Sequence, residues 1–160
     1  MIEIRTAAKT DLPLVEELAR IIWAVAYRDI LSKEQLEYMH DKMNSVQATS
    51  GLFDDGHIFI IPYEDNVAKG YACYKVYPDK ARIEKIYILP DQHKKGIGKL
   101  LLDHIIEKVS PHVNTLELNV NRHNNAVDFY KRMGFEIVKE LDVPIGEGYF
   151  MNDYIMTLTL

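Results

Sequence analysis

Apolar and polar positions change period several times along the chain, and each change marks an element. Residues 2–6 alternate, the period of a half-buried strand. Thr10 or Asp11 then offers a helix cap, with Pro13 tolerated in the first turn. Leu12, Val15, Leu18, Ala19, Ile22 and Ala26 recur at helical spacing as one apolar stripe. Ser32-Lys33-Glu34-Gln35 fits a capping box, and the helix it opens runs through Leu36 and Met39 towards Met43. Residues 44–52 carry a weaker pattern, compatible with a short helix.

From His57 the period falls to two. Residues 57–64, 67–77 and 81–89 are rich in Ile, Val, Tyr and Phe and predict three strands. Glu64-Asp65-Asn66 and Pro78-Asp79-Lys80 are the turns of this antiparallel meander. Residues 96–109 predict a helix, with Leu101, Ile105 and Val109 on one face and Leu102 and Ile106 beside them. Residues 113–120 read as a strand. Ala126, Phe129, Tyr130 and Met133 return to helical spacing, closed by Gly134 as a C-terminal cap. Residues 135–143 and 149–160 are the last two strands. Strands joined through the 96–109 helix must run parallel by a crossover connection. The expectation is an α+β fold with a mixed, mostly antiparallel sheet of about seven strands and about four helices. With 160 residues and no repeat or linker, one domain spanning 1–160 is expected.

Composition narrows the function classes. The 19 basic and 24 acidic side chains leave a net charge of −5, which argues against a nucleic-acid binder and mildly favours a cationic partner. Cys73, the only cysteine, sits among Tyr71, Ala72 and Tyr74 and reads as a small buried hydrophobe. The six histidines lack metal-ligand spacing, so no metal is expected. No apolar run is long enough to span a membrane and the amino terminus lacks a signal-peptide pattern, so a cytoplasmic protein is expected.

The segment from Ile83 to Ile106 carries the chemistry. A strand ends at Pro90, a polar loop follows, and a helix opens on Gly96-Ile97-Gly98. First-turn N–H groups lack internal partners and the helix dipole adds partial positive charge there. Glycines let an oxygen-rich anion approach the backbone, and Lys94, Lys95 and Lys99 surround the loop. An anion site follows, with a plain solvated loop as the alternative. The P-loop pattern GxxxxGK[ST] is absent, and the third glycine of a dinucleotide fingerprint is replaced by Leu101.

This strand, Pro, polar loop, Gly-x-Gly and Leu-rich helix resemble the signature of the GNAT acyl-CoA N-acyltransferases, whose loop holds the coenzyme A pyrophosphate. His93 stands where that family usually has Arg or Gln. A second stretch resembles the family's other signature, an Asn followed by a helix ending in Phe-Tyr-x-x-x-Gly-Phe. Asn124, Ala126, Phe129, Tyr130, Gly134 and Phe135 occupy its positions. The resemblance is strong over residues 57–140 and implies the GNAT fold, acetyl-CoA as co-substrate and N-acetylation of an amine in a ternary complex. A small amine or polyamine is favoured as acceptor, with a protein amino group behind it. A CoA-holding sensor without turnover is the alternative.

The resemblance also implies site residues. Backbone groups of Ile86, Tyr87 and Ile88 would face the pantetheine arm and thioester, the Ile88 N–H serving as oxyanion donor. His93, Lys94, Lys95, Gly96, Ile97, Gly98 and Lys99 would hold the pyrophosphate. Tyr130 is the expected general acid, against the alternative of a core aromatic. Asn124 would contact the cofactor or cap its helix. Glu84, placed by period two on the face of Ile86 and Ile88, is the candidate base, with a solvent-facing or salt-bridged carboxylate as the alternative and Glu117 as a substitute. Trp23, Tyr27, Tyr38 and Tyr149 would line the acceptor pocket or belong to the core. Family members are often dimers, so a homodimer is among the expected partners.

Overall fold

A computed structural model describes all 160 residues. Strand β1 (Ile2–Thr6) leads through a short 3-10 turn into helix α1 (Leu12–Ala26), whose apolar stripe buries Leu12, Val15, Leu18, Ala19 and Ile22. Two serine caps set the next pair of helices. Ser32 Oγ accepts from the Gln35 N–H at 3.1 Å to open α2 (Lys33–Met43), and Ser45 Oγ accepts from the Ala48 N–H at 3.2 Å to open α3 (Val46–Asp54). The weak pattern over 44–52 is thus a capped helix.

The meander follows as β2 (Ile58–Glu64), the two-residue β3 (Val67–Ala68), β4 (Gly70–Val76) and β5 (Ala81–Ile88). Helix α4 (Ile97–Val109) crosses over to β6 (Thr115–Asn121), which lies parallel to β5 as the crossover rule requires. Helix α5 (Ala126–Arg132) precedes a long antiparallel hairpin, β7 (Glu136–Gly146) and β8 (Tyr149–Thr159). The sheet runs in the order β1-β2-β4-β5-β6-β8-β7, with β3 paired to β2. All other pairings are antiparallel.

Each face of the sheet is covered, so each has its own core. Leu101, Leu102, Ile105 and Val109 of α4 join Ile83, Leu116, Leu118, Tyr130 and Met156 on one face. On the other, α1 packs Leu12, Val15, Ile22 and Trp23 against Phe59, Ile61, Tyr71 and Cys73. Burial in this second core pushes the Cys73 thiol up to about 12, the inert behaviour of a structural cysteine. Where β4 passes β5, only glycine fits: a Cβ at Gly70 would lie 2.3 Å from the Tyr87 carbonyl oxygen.

A β-bulge changes the reading of β5. Tyr74 faces Ile83 and Cys73 faces Lys85, which leaves Glu84 unpaired between them. The extra residue shifts the alternation, so Ile83, Ile86 and Ile88 pack with the α4 core while Glu84 turns to the opposite side, beside Arg82 and His57. The expectation that Glu84 shares a face with Ile86 and Ile88 is therefore corrected.

The same shift buries Lys85, whose ammonium donates to Asn44 Oδ1 at 3.0 Å. Burial lowers its pKa from the ordinary 10.5 to about 8. The folded state therefore holds this proton less tightly than the unfolded chain, and stability rises with pH across that window. Lys85→Met removes this contribution. Chemical denaturation from pH 7.5 to 10.5 is expected to show a wild-type minus variant stability difference that grows with pH, by on the order of 3 kcal/mol.

Candidate active site

The site begins where two neighbouring strands part. β5 pairs with β6 only through Ala81, Arg82 and Ile83, opposite Leu116, Glu117 and Leu118. Beyond that point both strands continue, β6 to Asn121 and β5 to Ile88, with no pairing between them. The Leu89 N–H donates to the Lys69 carbonyl at 3.0 Å, which fixes the alternation of the β5 backbone. Ile88 and Ile86 accordingly turn their N–H and C=O groups towards the gap, as the sequence led us to expect. Tyr87 does not. Its backbone faces β4 and its ring packs against Trp23 and Tyr71, each at a centroid distance of 5.7 Å. Of the three residues expected to offer backbone groups there, Ile86 and Ile88 turn them to the gap and Tyr87 turns them to β4.

At the end of β5 the chain enters the lysine-rich loop. Lys94 and Gly96 both take the left-handed conformation, with φ of 68° and 78°, which turns the backbone into α4. Gly96 stands at the N-cap without a side-chain oxygen, so the N–H groups of Ile97, Gly98 and Lys99 have no acceptor within the protein. A Cβ at Gly96 would meet nothing within 4 Å, so the space over this turn is free for a ligand. Gly98 packs beneath, where a Cβ would already touch Phe129 at 3.4 Å. Such a turn accepts phosphate oxygens without adjustment. His93 Nε2 hydrogen-bonds the Ile88 carbonyl at 3.2 Å, tying the loop to the open strand edge. Lys94 and Lys99 line the cavity, Lys99 being paired with Asp103 at 2.7 Å. Lys95 lies outside that lining and donates to Gln92 at 3.3 Å.

Across the gap stands α5. Asn124 Oδ1 accepts from the Ala126 N–H at 2.8 Å, so it caps the helix start while also lining the cavity. Tyr130 projects into the α4 core, its ring edge-on to Phe129 and Phe135 at 5.3 and 5.6 Å, and its burial raises the phenol well above the ordinary tyrosine range. It borders the cavity as well, so this core aromatic is also within reach of a bound ligand. Tyr27, just past the end of α1, packs its ring against Trp23 at 5.0 Å, and burial raises its phenol above the ordinary tyrosine range. Trp23 and Tyr27 line the cavity and belong to the core at once. Tyr38 and Tyr149 lie outside its lining, their rings tilted against each other at 5.3 Å, with Tyr38 donating to the Ile145 carbonyl at 2.6 Å.

The gap opens into a cavity of about 1390 Å³ that joins the two faces of the sheet. Glu84 lies on its wall, its carboxylate 3.6 Å from His57 and 3.7 Å from Arg82. Glu117 is drawn into an ion pair with Arg82 and another with Lys80 at 3.0 Å, and lies outside the lining. The sequence reasoning missed Asp153 of β8, which is 2% exposed and lines the cavity. Its signal was a lone acid in a strand with no other charged residue.

Residues 27–145 match the family model described as an acetyltransferase (GNAT) domain. The chain belongs to the GNAT acetyltransferase family. It is 31% identical to a spermidine N(1)-acetyltransferase from Thermoplasma acidophilum, over 85% of this chain and 89% of that one. A ribosomal protein alanine N-acetyltransferase from Salmonella typhimurium is 33% identical over 53% of this chain and 60% of its own. The crystal structure of PaiA N-acetyltransferase from Thermoplasma acidophilum in complex with coenzyme A superposes with a TM-score of 0.81 and 26% identity, covering 100% and 99% of the two chains. The protein is thus an acyl-CoA-dependent N-acetyltransferase. Gly96→Ala forces a side chain into a left-handed turn, and we expect a stability loss of about 1–2 kcal/mol with weaker CoA binding. Thermal unfolding and calorimetric CoA titration measure the two effects.

Proposed function

We propose that this acetyltransferase transfers the acetyl group to a primary amine of a small molecule, a polyamine being favoured, by direct attack with both substrates bound. The observation that carries this reading is a cavity that holds both an anion-binding turn and a carboxylate without an ion-pair partner. Lys94, Lys99 and the uncapped α4 turn line it. So do Asp29, Glu84 and Asp153 beside the cations Lys42, Arg82 and Lys85, and of these acids Glu84 is drawn to Arg82 while the buried Asp153 is unpaired. The turn suits a diphosphate and the unpaired carboxylate an ammonium group. The net charge of −5 and the likeness to a spermidine acetyltransferase support the same acceptor class.

In this reading each residue has a defined task. The α4 turn anchors the cofactor by its pyrophosphate. The Ile86 and Ile88 edge groups align the pantetheine arm, and the Ile88 N–H donates to the thioester oxygen as negative charge develops there. Acetyl-CoA supplies an activated acyl carbon and a thiolate leaving group. Tyr130, kept neutral by burial, holds the proton that the departing sulfur receives.

A CoA-release screen over polyamines, amino acids, aminoglycosides and peptide amines tests the acceptor class. The highest kcat/KM is expected with a polyamine, and turnover confined to peptides would overturn the small-molecule reading. Tyr130→Phe is expected to lower kcat by about 100-fold or more while CoA affinity stays within a few-fold. Full turnover by that variant with every active amine would remove the general-acid role.

A further inference from the structure

The sheet face opposite α4 carries a row of polar groups across the parting strands. Arg82 of β5 pairs with Glu117 of β6, and Asn121 of β6 faces Asp153 of β8. With Asn119, these residues form a polar floor beneath the end of α1. Most of its charges are already matched. Arg82 holds Glu117 and approaches Glu84, Lys80 holds Glu117, and His57 lies beside Glu84. Among the three carboxylates that line the cavity, Asp29 is exposed and Glu84 is flanked by Arg82 and the His57 ring.

Asp153 differs from both. It is buried and forms no ion pair, and its one side-chain hydrogen bond comes from Asn119 Nδ2, which donates to Oδ2 at 3.3 Å. Its Oδ1 is left without a protein donor on the wall of the cavity. Tyr27, Tyr87 and Asn124 line the same cavity, so the carboxylate opens onto the gap between β5 and β6. A buried carboxylate with an unused oxygen requires a cation or a donor, and a cavity is where a ligand brings one.

We propose that Asp153 receives the acceptor ammonium and acts as its general base. This rests on the amine-acetylation reading above and deepens it. One proton passes from the acceptor R–NH3+ to the Asp153 carboxylate, which later releases it to solvent. The freed lone pair forms the N–C bond while the C–S bond breaks, and the electron pair of that bond leaves on sulfur. The nitrogen's second proton restores Tyr130, whose own proton has gone to the sulfur, so the products are the N-acetylated amine, CoA thiol and one proton. Burial raises the Asp153 carboxyl above its ordinary value, which strengthens it as a proton acceptor.

The test compares wild type with Asp153→Asn, which keeps the size of the side chain. Wild-type turnover over the amine screen first identifies an accepted alkylamine. Failure of polyamines at that step overturns the acceptor class and leaves Asp153 to be judged on whichever amine is used. With that amine, the variant is expected to lose about 100-fold or more in kcat/KM. CoA affinity and thermal midpoint should remain those of wild type. With trifluoroethylamine, largely neutral at the assay pH, the variant should fall less than tenfold, and Asp153→Glu should recover part of the alkylamine rate. Alkylamine turnover by Asp153→Asn within threefold of wild type would overturn the proposal. An equal loss with both amines would overturn it as well, since a base is dispensable only for the neutral one.

Discussion

The parting of β5 from β6 beyond Ile83 and Leu118 is the constraint on which the rest of the structure depends. Leaving backbone N–H and C=O groups unpaired inside a sheet is costly unless something else satisfies them. Here the unpaired edge at Ile86 and Ile88 lies between two well-formed cores, so the gap is held by packing on both faces and cannot zip shut by sliding. β6 is committed to β8 along its whole length, seven positions from Thr115 to Asn121. β5 is committed to β4 up to Gly70, where the absence of a side chain permits close approach to Tyr87. Each strand is anchored on its far side, and the gap is what remains.

The bulge at Glu84 belongs to the same device. One added residue increases local twist and reverses the facing of everything before it relative to everything after. Ile86 and Ile88 keep their side chains in the α4 core, while Glu84 and Lys85 are delivered to the opposite side. The strand thereby offers apolar packing to one face and polar groups to the other within a few residues. The crossover helix completes the arrangement. α4 starts where β5 ends, so its uncapped turn is fixed next to the open edge, and His93 ties the two together.

Much of this was legible in the sequence. The Ser32 cap, the α4 stripe and the crossover announced themselves through residue type and period, whereas the Ser45 cap of α3 did not. Gly96-Ile97-Gly98 and the Asn124-to-Phe135 stretch pointed to a cofactor turn and its facing helix because their chemistry is local. What was not legible depended on register. Period-two counting put Glu84 beside Ile86, and a bulge leaves no mark on composition. Tyr87 was grouped with its neighbours because which edge a backbone group faces is decided by β4, not by β5 itself. Asp153 went unassigned because its partner Asn119 comes from β6 and meets it only in the folded sheet.

Desolvation links the two halves of the site. It raises the Tyr130 phenol on the α5 side of the gap and the Asp153 carboxyl on the α1 side, in both cases because the charged form is poorly hydrated. The common direction has opposite uses. A phenol pushed up stays neutral and keeps a proton to give, whereas a carboxylate pushed up binds a proton more tightly when one is offered. A hydrated cleft would leave the carboxylate a weaker base and scatter the ammonium among exposed acids such as Asp29. The two apolar cores that hold the strands apart therefore also create the dry surroundings in which a neutral phenol and a proton-retaining carboxyl line the same cavity.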